Sequence, residues 1–217
     1  MNREWGMTWL FDLDNTLHNA SAHIFPHINR SMTAYVARNL GVDEEQANAL
    51  RTHYWQRYGA TLLGLVRHHG TDRDHFLRET HRFDQLHKMM VFDRAVRAML
   101  RGLPGRKIVF SNGPGEYVRA VVSAMGVRRY FSEIYGIESM RYQPKPGIRA
   151  YRHLLHDQRL HPARCILVED STENLRTAKR LGMKTVLVGR NLGQPAYVDL
   201  KVDSILDLRR AIGKVWR

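Results

Sequence analysis

The sequence predicts an α/β protein in which a parallel sheet is covered by helices and a long helical segment follows the first strand. From residue 92 onward, short apolar segments alternate with amphipathic segments of helical period, and this repeated β-α-β-α order implies a parallel sheet. Residues 20–90 show helical spacing throughout and no convincing strand. Several apolar segments end abruptly in polar residues, which is where open α/β sheets place their chemistry.

The first strand is predicted over residues 9–11, and two carboxylates, Asp12 and Asp14, follow it directly. Like charges this close raise each other's pKa unless a cation lies between them. A hard, oxygen-binding ion such as Mg²⁺ suits that position. The alternative is a polar turn in which these residues cap a helix.

The inserted segment is predicted to hold four helices. Apolar residues recur at helical spacing in each, Gly41, Gly59 and Gly70 end the first three, and Asp43 and Asp72 precede the second and fourth. After residue 92 the predicted elements are a helix over 93–100, a strand over 107–110, a helix ending at Gly126, a short strand within 131–137, a loop over 143–147, a helix from 148, a strand over 165–168, a helix over 173–181, a strand over 184–189, and a short strand or turn and a helix within 202–212.

The bulk composition is that of an ordinary globular protein. The chain has 217 residues, of which 43% are hydrophobic and 25% charged, and no apolar run approaches the roughly 20 residues of a membrane helix. The N-terminal residues lack a signal-peptide pattern, so we expect no secretion and no membrane partner. The single cysteine, Cys165, excludes an internal disulfide and is expected to be a small core residue, which fits a reducing, cytoplasmic location.

The net charge of +13 favours an anionic partner. Lysine and arginine are scattered and form no dense basic block, so nucleic-acid binding is not expected as the main role. A small phosphorylated metabolite fits better, and the chain is expected to be a monomer or a homodimer.

Three predicted strands end in polar clusters, and a basic loop lies between the last two. The second cluster begins at Ser111 and Asn112, the third at Glu169 and Asp170, and the loop holds Lys145. In a parallel sheet these ends meet at one edge, so the carboxylates, hydroxyl, amide and ammonium converge. A cation, fixed donors and a nucleophile are what phosphoryl transfer requires. Taken singly, each segment could be an ordinary turn, loop or helix start.

The four segments together resemble the motifs of the haloacid dehalogenase-like (HAD) phosphohydrolases, in order and in strand-end placement, over essentially the whole chain. The segments are residues 11–17, 110–113, 145–146 and 168–171. The resemblance implies a Rossmann-like parallel sheet sandwiched by helices over residues 1–18 and 92–217. It also implies a helical cap, over residues 19–91, of the kind that family members place over the active site.

The resemblance also implies the catalytic roles. Asp12 would be the nucleophile that forms an aspartyl-phosphate. Asp14 would be the general acid/base, and its backbone carbonyl would join Asp12 and Asp170 as a ligand of Mg²⁺. The Asp-x-Asp pattern of Asp12 and Asp14 is similar to that of the family's phosphatases. The dehalogenases lack the second aspartate, because displacing a halide needs no proton for the leaving group, so dehalogenation is disfavoured.

The remaining site residues follow from the same resemblance. Ser111, Asn112 and Lys145 would bind the phosphoryl group, and Lys145 would also offset the charge of Asp12 and keep it ionised. Glu169 would act through water or hold the geometry of the site. His18 would touch the substrate or lie on a solvent-exposed flap.

Residues 57–65 in the insert resemble a cap segment of the pyrimidine 5′-nucleotidase branch, in which Tyr-Gly-Thr-Thr-Leu precedes a Gly-Leu; Ala60 replaces the first threonine here. In this interpretation the ring of Tyr54, Tyr58 or Phe25 would stack on the base, and Thr61 would form a hydrogen bond with it. The alternative is a plain helix junction with Leu62, Leu63 and Leu65 in the core. The competing functions are a broad-specificity, phosphoglycolate or sugar-phosphate phosphatase, a phosphomutase, and a nucleic-acid-binding module on the same scaffold.

Overall fold

The computed structural model describes residues 6–215, and the residues divide between two compact units, Met1–Asn19 with Val91–Arg217 and Ala20–Met90. The prediction about a secretion signal falls largely on residues 1–5, outside the described residues. Within the described range, no helix combines the length and the apolar character needed to cross a membrane.

The first unit is built on a six-stranded sheet with the order β3-β2-β1-β4-β5-β6, and every neighbouring pair is parallel. This confirms the predicted fold class. The strands are β1 Thr8–Phe11, β2 Arg106–Phe110, β3 Glu133–Tyr135, β4 Cys165–Glu169, β5 Lys184–Val188 and β6 Leu200–Val202. All residues of β1 and β4 are buried, as expected for central strands of a parallel sheet.

The helical unit begins with the four predicted helices. They are α1 Ile24–Leu40, α2 Glu44–Tyr58, α3 Thr61–His69 and α4 Arg73–Thr80, followed by a short α5, Leu86–Met89. Gly41, Gly59 and Gly70 follow the first three in left-handed conformation, which glycine adopts without strain. Asp43 and Asp72 accept the backbone N–H groups of N-terminal residues in α2 and α4. The sequence did not predict α5, because four residues are too few to show a period.

The helices of the first unit are α6 Val96–Gly102, α7 Gly115–Ala124, α8 Ile148–Asp157, α9 Thr172–Arg180 and α10 Leu208–Val215. One predicted boundary is wrong: α6 begins at Val96 rather than at residue 93. The side chain of Asp93 accepts a hydrogen bond from the N–H of Ala95 at 2.7 Å and stabilises a turn ahead of the helix. Three 3₁₀ turns, Arg128–Tyr130, Pro162–Arg164 and Ile205–Asp207, were also not predicted.

The register of the sheet places the three polar clusters at one edge. Phe11 pairs with Val109 of β2 and with Val168 of β4, so the chain leaves all three strands at nearly the same height. The N–H of Asp12 extends this pairing by donating to the carbonyl of Val168 at 3.0 Å. Asp12 therefore stands at the carboxyl edge of the sheet, between the ends of its two neighbours.

Candidate functional site

A buried ammonium group lies at the centre of the site. Lys145, only 2% exposed, donates from Nζ to Oδ1 of Asp12 at 2.8 Å and to Oε2 of Glu169 at 2.7 Å. Its third hydrogen bond, at 2.7 Å, goes to the carbonyl of Phe110. These contacts use all three protons of the ammonium group and join the ends of β1, β2 and β4.

The loop that carries Lys145 is held by Asn112. The side-chain oxygen of Asn112 accepts the N–H of Lys145 at 2.8 Å, and its side-chain nitrogen donates to the carbonyl of Lys145 at 3.0 Å. Asn112 was expected to donate to a phosphoryl group. The structure instead uses both ends of its amide on the backbone of the Lys145 loop, which leaves one N–H for other contacts.

The chain turns sharply after the aspartate pair. Asn15 has a left-handed backbone with φ 61°, a conformation that asparagine tolerates better than most residues. The turn brings the hydroxyl of Thr16 to within 3.0 Å of Oδ2 of Asp12, to which it donates. Both carboxylate oxygens of Asp12 are therefore hydrogen-bonded, one to Thr16 and one to Lys145.

The second aspartate is bound by two side chains. Oδ1 of Asp14 accepts a hydrogen bond from the hydroxyl of Tyr117 at 2.5 Å and lies 2.9 Å from Nε2 of His18. His18 is buried, so the alternative of a solvent-exposed flap is wrong. Burial, followed by the charge of Asp14, raises the pKa of Tyr117, and its hydroxyl stays a donor.

Ser111 lies at the end of β2 and is buried. Its N–H donates to the carbonyl of Tyr135 at 3.1 Å, and its hydroxyl oxygen accepts the N–H of Gly113 at 3.0 Å. Among residues 6–215, no acceptor takes the hydroxyl proton of Ser111, so this predicted phosphate donor keeps its donor capacity.

Sequence reasoning missed Tyr117 and Thr16. Tyr117 lies on the buried face of α7 beside Val118 and Val121, and at the level of sequence it is indistinguishable from a core aromatic residue. Thr16 stands inside the first motif, four residues after Asp12, and that spacing was the signal available for it.

The residues expected to contact a base lie in the helical unit, where their polar groups bond locally. The hydroxyl of Thr61 is buried and donates to the carbonyl of Arg51 at 3.0 Å, and that of Tyr58 pairs with Nε2 of His68 at 2.6 Å. Tyr54 is buried with its ring against Gly64, a core position rather than a stacking platform. Leu62 and Leu65 are buried as the junction alternative expected, and Leu63 is half-buried.

The acidic groups of the site carry more negative charge than Lys145 offsets. Burial, followed by the charge of Glu169, raises the pKa of Asp12 to about 7, although Lys145 acts in the opposite direction. Burial also raises the pKa of Glu169 and of Asp170. Burial alone would lower the pKa of Lys145, but the charges of Asp12 and Glu169 outweigh it and raise that pKa. The predicted offset of the Asp12 charge by Lys145 is therefore incomplete.

A divalent cation suits this excess of charge. Asp12, Glu169 and Asp170 each bring a carboxylate oxygen into a group whose atoms lie within 4.8 Å of one another. Oxygen ligands of this kind are those that Mg²⁺ and Ca²⁺ take. The donor set and the uncompensated charge both fit a hard cation.

We expect the stability of the metal-free protein to fall as pH rises from about 4 to about 7. Asp12, with a pKa raised to about 7, binds a proton in the folded state at pH values where the unfolded carboxyl has lost it. Folding is then opposed by deprotonation, and Glu169 and Asp170 act with the same sign. Because metal ligands must be ionised, adding Mg²⁺ should raise the Tm more at pH 8 than at pH 5.

Thermal unfolding in EDTA and in Mg²⁺ across this pH range measures both effects. Asp170→Asn, which removes one charged ligand, should reduce the rise in Tm caused by Mg²⁺. A rise that is larger at pH 5, or equal in Asp170→Asn and the parent protein, would contradict the assignment of the metal ligands.

The comparison with known proteins agrees with this arrangement of strand ends. A sequence profile described as haloacid dehalogenase-like hydrolase matches residues 9–188. The chain belongs to the haloacid dehalogenase-like hydrolase family. Its relatives include a 5′-nucleotidase from Pseudomonas aeruginosa, 30% identical over 200 residues, which span 85% of this chain and 83% of that protein.

Solved structures of this hydrolase family share the fold. A HAD phosphatase from Thermococcus onnurineus has a TM-score of 0.66 at 19% identity, over 95% of this chain and 98% of that one. The L-2-haloacid dehalogenase from Xanthobacter autotrophicus with covalently bound chloropropionic acid has a TM-score of 0.61 at 16% identity, over 97% and 99%. A phosphatase and a dehalogenase thus match this hydrolase about equally. The fold alone therefore does not distinguish phosphoester hydrolysis from dehalogenation.

Proposed function

We propose that this hydrolase is a Mg²⁺-dependent phosphatase that cleaves nucleoside 5′-monophosphates through an aspartyl-phosphate on Asp12. The observation that carries the proposal is the second carboxylate, Asp14, which is held by Tyr117 and His18 with its side chain 16% exposed. An alkoxide leaving group needs a proton and a halide does not, so a positioned second acid favours phosphoester hydrolysis over dehalogenation. The resemblance to the 5′-nucleotidase of Pseudomonas aeruginosa supports the same reaction class.

In the first step, an oxygen of Asp12 attacks phosphorus while Asp14 gives its proton to the departing oxygen of the nucleoside. Lys145 and Thr16 orient the Asp12 carboxylate, and the hydroxyl of Ser111 donates to a phosphoryl oxygen. The three hydrogen bonds of the Lys145 ammonium group leave it no proton for the phosphoryl group, so its part there is the attraction of its positive charge. In the second step, Asp14 takes a proton from a water molecule that attacks phosphorus, which releases phosphate and frees Asp12.

Asp12, Asp170 and the backbone carbonyl of Asp14 are the proposed ligands of Mg²⁺, which would neutralise charge on the phosphoryl oxygens. Glu169 lies in the same acidic group, but it also accepts a hydrogen bond from Lys145. We assign it to holding the ammonium group, which is one of the two roles expected for it.

The proposal includes a preference for pyrimidine bases. That preference rests on the likeness of residues 57–65 to one branch of the family, and the local hydrogen bonds of Tyr58 and Thr61 do not add to it. A general phosphatase of small phosphoesters is the alternative.

A panel of phosphoesters at fixed Mg²⁺, ranked by kcat/KM, tests the proposal. It should include UMP, CMP, AMP, GMP, phosphoglycolate and a hexose phosphate, with 2-chloropropionate as the dehalogenase arm. We expect phosphate release from UMP and CMP to rank first and EDTA to abolish it. Highest activity on phosphoglycolate or the hexose phosphate would replace the nucleotide assignment, and halide release without phosphate release would overturn the phosphatase assignment.

A further inference from the structure

The two contacts to Asp14 fall on the same carboxylate oxygen. Oδ1 lies 2.5 Å from the hydroxyl of Tyr117 and 2.9 Å from Nε2 of His18. Tyr117 approaches from α7, and His18 follows Asp14 by four residues, so the two groups come from different parts of the chain. Among residues 6–215, no group donates a hydrogen bond to Oδ2.

The environment of His18 defines the direction of its hydrogen bond. Its Nδ1 is buried and has no hydrogen-bond partner among the described residues. A proton on Nδ1 would therefore be a buried, unsatisfied donor, which costs free energy. The neutral ring with its proton on Nε2 avoids this cost and donates to Oδ1 of Asp14.

We propose that Tyr117 and His18 are positioning residues that together occupy Oδ1 of Asp14, so that Oδ2 is the oxygen that exchanges protons with the reacting groups. The reason is that a carboxylate oxygen has two lone pairs, and two donors on Oδ1 leave no favourable place there for the catalytic proton. The two contacts also fix the carboxylate plane, which determines where Oδ2 points. This inference rests on the proposed phosphatase function.

The proton balance is complete without any change in Tyr117 or His18. In the first step the proton on Oδ2 moves to the leaving oxygen as the P–O bond breaks and the bond from Asp12 to phosphorus forms. In the second step Oδ2 accepts a proton from the attacking water as the bond from Asp12 to phosphorus breaks. Tyr117 and His18 keep their protons throughout and act only through Asp14.

The test compares two substrates that differ in their need for a general acid. A nucleoside monophosphate releases an alkoxide that must be protonated, whereas p-nitrophenyl phosphate releases a stable phenolate. For Tyr117→Phe we expect kcat/KM to fall about 10- to 100-fold on UMP and less than about 3-fold on p-nitrophenyl phosphate. The value of kcat/KM depends only on the steps up to and including the first irreversible one, which here is the phosphorylation of Asp12. Hydrolysis of the phosphorylated intermediate is the same for both substrates and comes later, so it does not mask the difference between them.

Two further sets of variants make the result specific. Tyr135→Phe is the matched control, since its hydroxyl donates at 2.6 Å to Oδ2 of Asp157, away from the site, and both substrates should react as before. His18→Leu should reproduce the selective loss on UMP, and His18→Gln, which keeps a donor near the position of Nε2, should restore part of it. The His18 pair decides the question if Tyr117→Phe does not fold.

Equal losses on both substrates, or no loss on either, would overturn the positioning roles, because a purely structural defect does not depend on the leaving group. Failure of the proposed function is distinguishable from this result: the unmodified protein would then release phosphate from neither substrate.

Discussion

Asp12→Asn is expected to lower phosphate release by about 1,000-fold or more, because an amide cannot form the acyl phosphate on which the reaction depends. The substitution preserves the shape of a side chain that is only 8% exposed, so the loss should come from chemistry and not from unfolding. The pKa of Asp12 is raised to about 7 by burial and by Glu169, which means that its charge opposes folding at pH 8. The variant should therefore be at least as stable as the parent protein in EDTA at that pH.

The measurement combines phosphate release with trapping of the intermediate. Protein quenched in acid during turnover should carry a phosphoryl group on the peptide that contains Asp12, and Asp12→Asn should carry none. Asp157→Asn is the matched control, because this exposed carboxylate on α8 bonds only to Tyr135 and His156 among the described side chains. Retention of a tenth or more of the activity by Asp12→Asn would remove Asp12 from the role of nucleophile.

Lys145→Met is expected to reduce the free energy of unfolding by about 3–5 kcal/mol at pH 8 and to abolish activity. The substitution removes the ammonium group that binds Asp12 and Glu169, and it leaves two buried carboxylates without that partner. Because the pKa values of both carboxyls are already raised by burial, they take up protons as pH falls. The loss of stability should therefore be smaller at pH 5 than at pH 8.

Urea unfolding at the two pH values measures this effect. Lys179→Met is the matched control: its ammonium group pairs with Asp199 near the surface, where ion pairs contribute about 0–1 kcal/mol. Adding Glu169→Gln to Lys145→Met removes one of the stranded charges and should recover part of the stability without recovering activity. A similar loss in Lys145→Met and Lys179→Met would show that the buried network does not stabilise the fold.

The sequence predicted the elements that depend on local patterns. The four main helices of the insert were predicted because glycine and aspartate mark their ends and apolar residues repeat at helical spacing. The start of α6 was misplaced because the hydrogen bond from Ala95 to the side chain of Asp93 favours a turn where the apolar period suggested a helix. The short α5 and the 3₁₀ turns depend on local contacts and have no pattern of their own.

The sequence by itself determined the fold class and the position of the acidic and basic clusters at strand ends. These follow from short-range periodicity and from the rule that parallel strands share one functional edge. The hydrolase family came from the resemblance of four short motifs, which are also contained in the sequence alone. Only the tertiary structure decided which partner each functional side chain has: Lys145 with Glu169, Asn112 with the Lys145 loop, and Tyr117 with Asp14. Such pairs join residues 24 to 103 positions apart, and their geometry depends on how each helix and loop packs against the sheet, which no local pattern encodes.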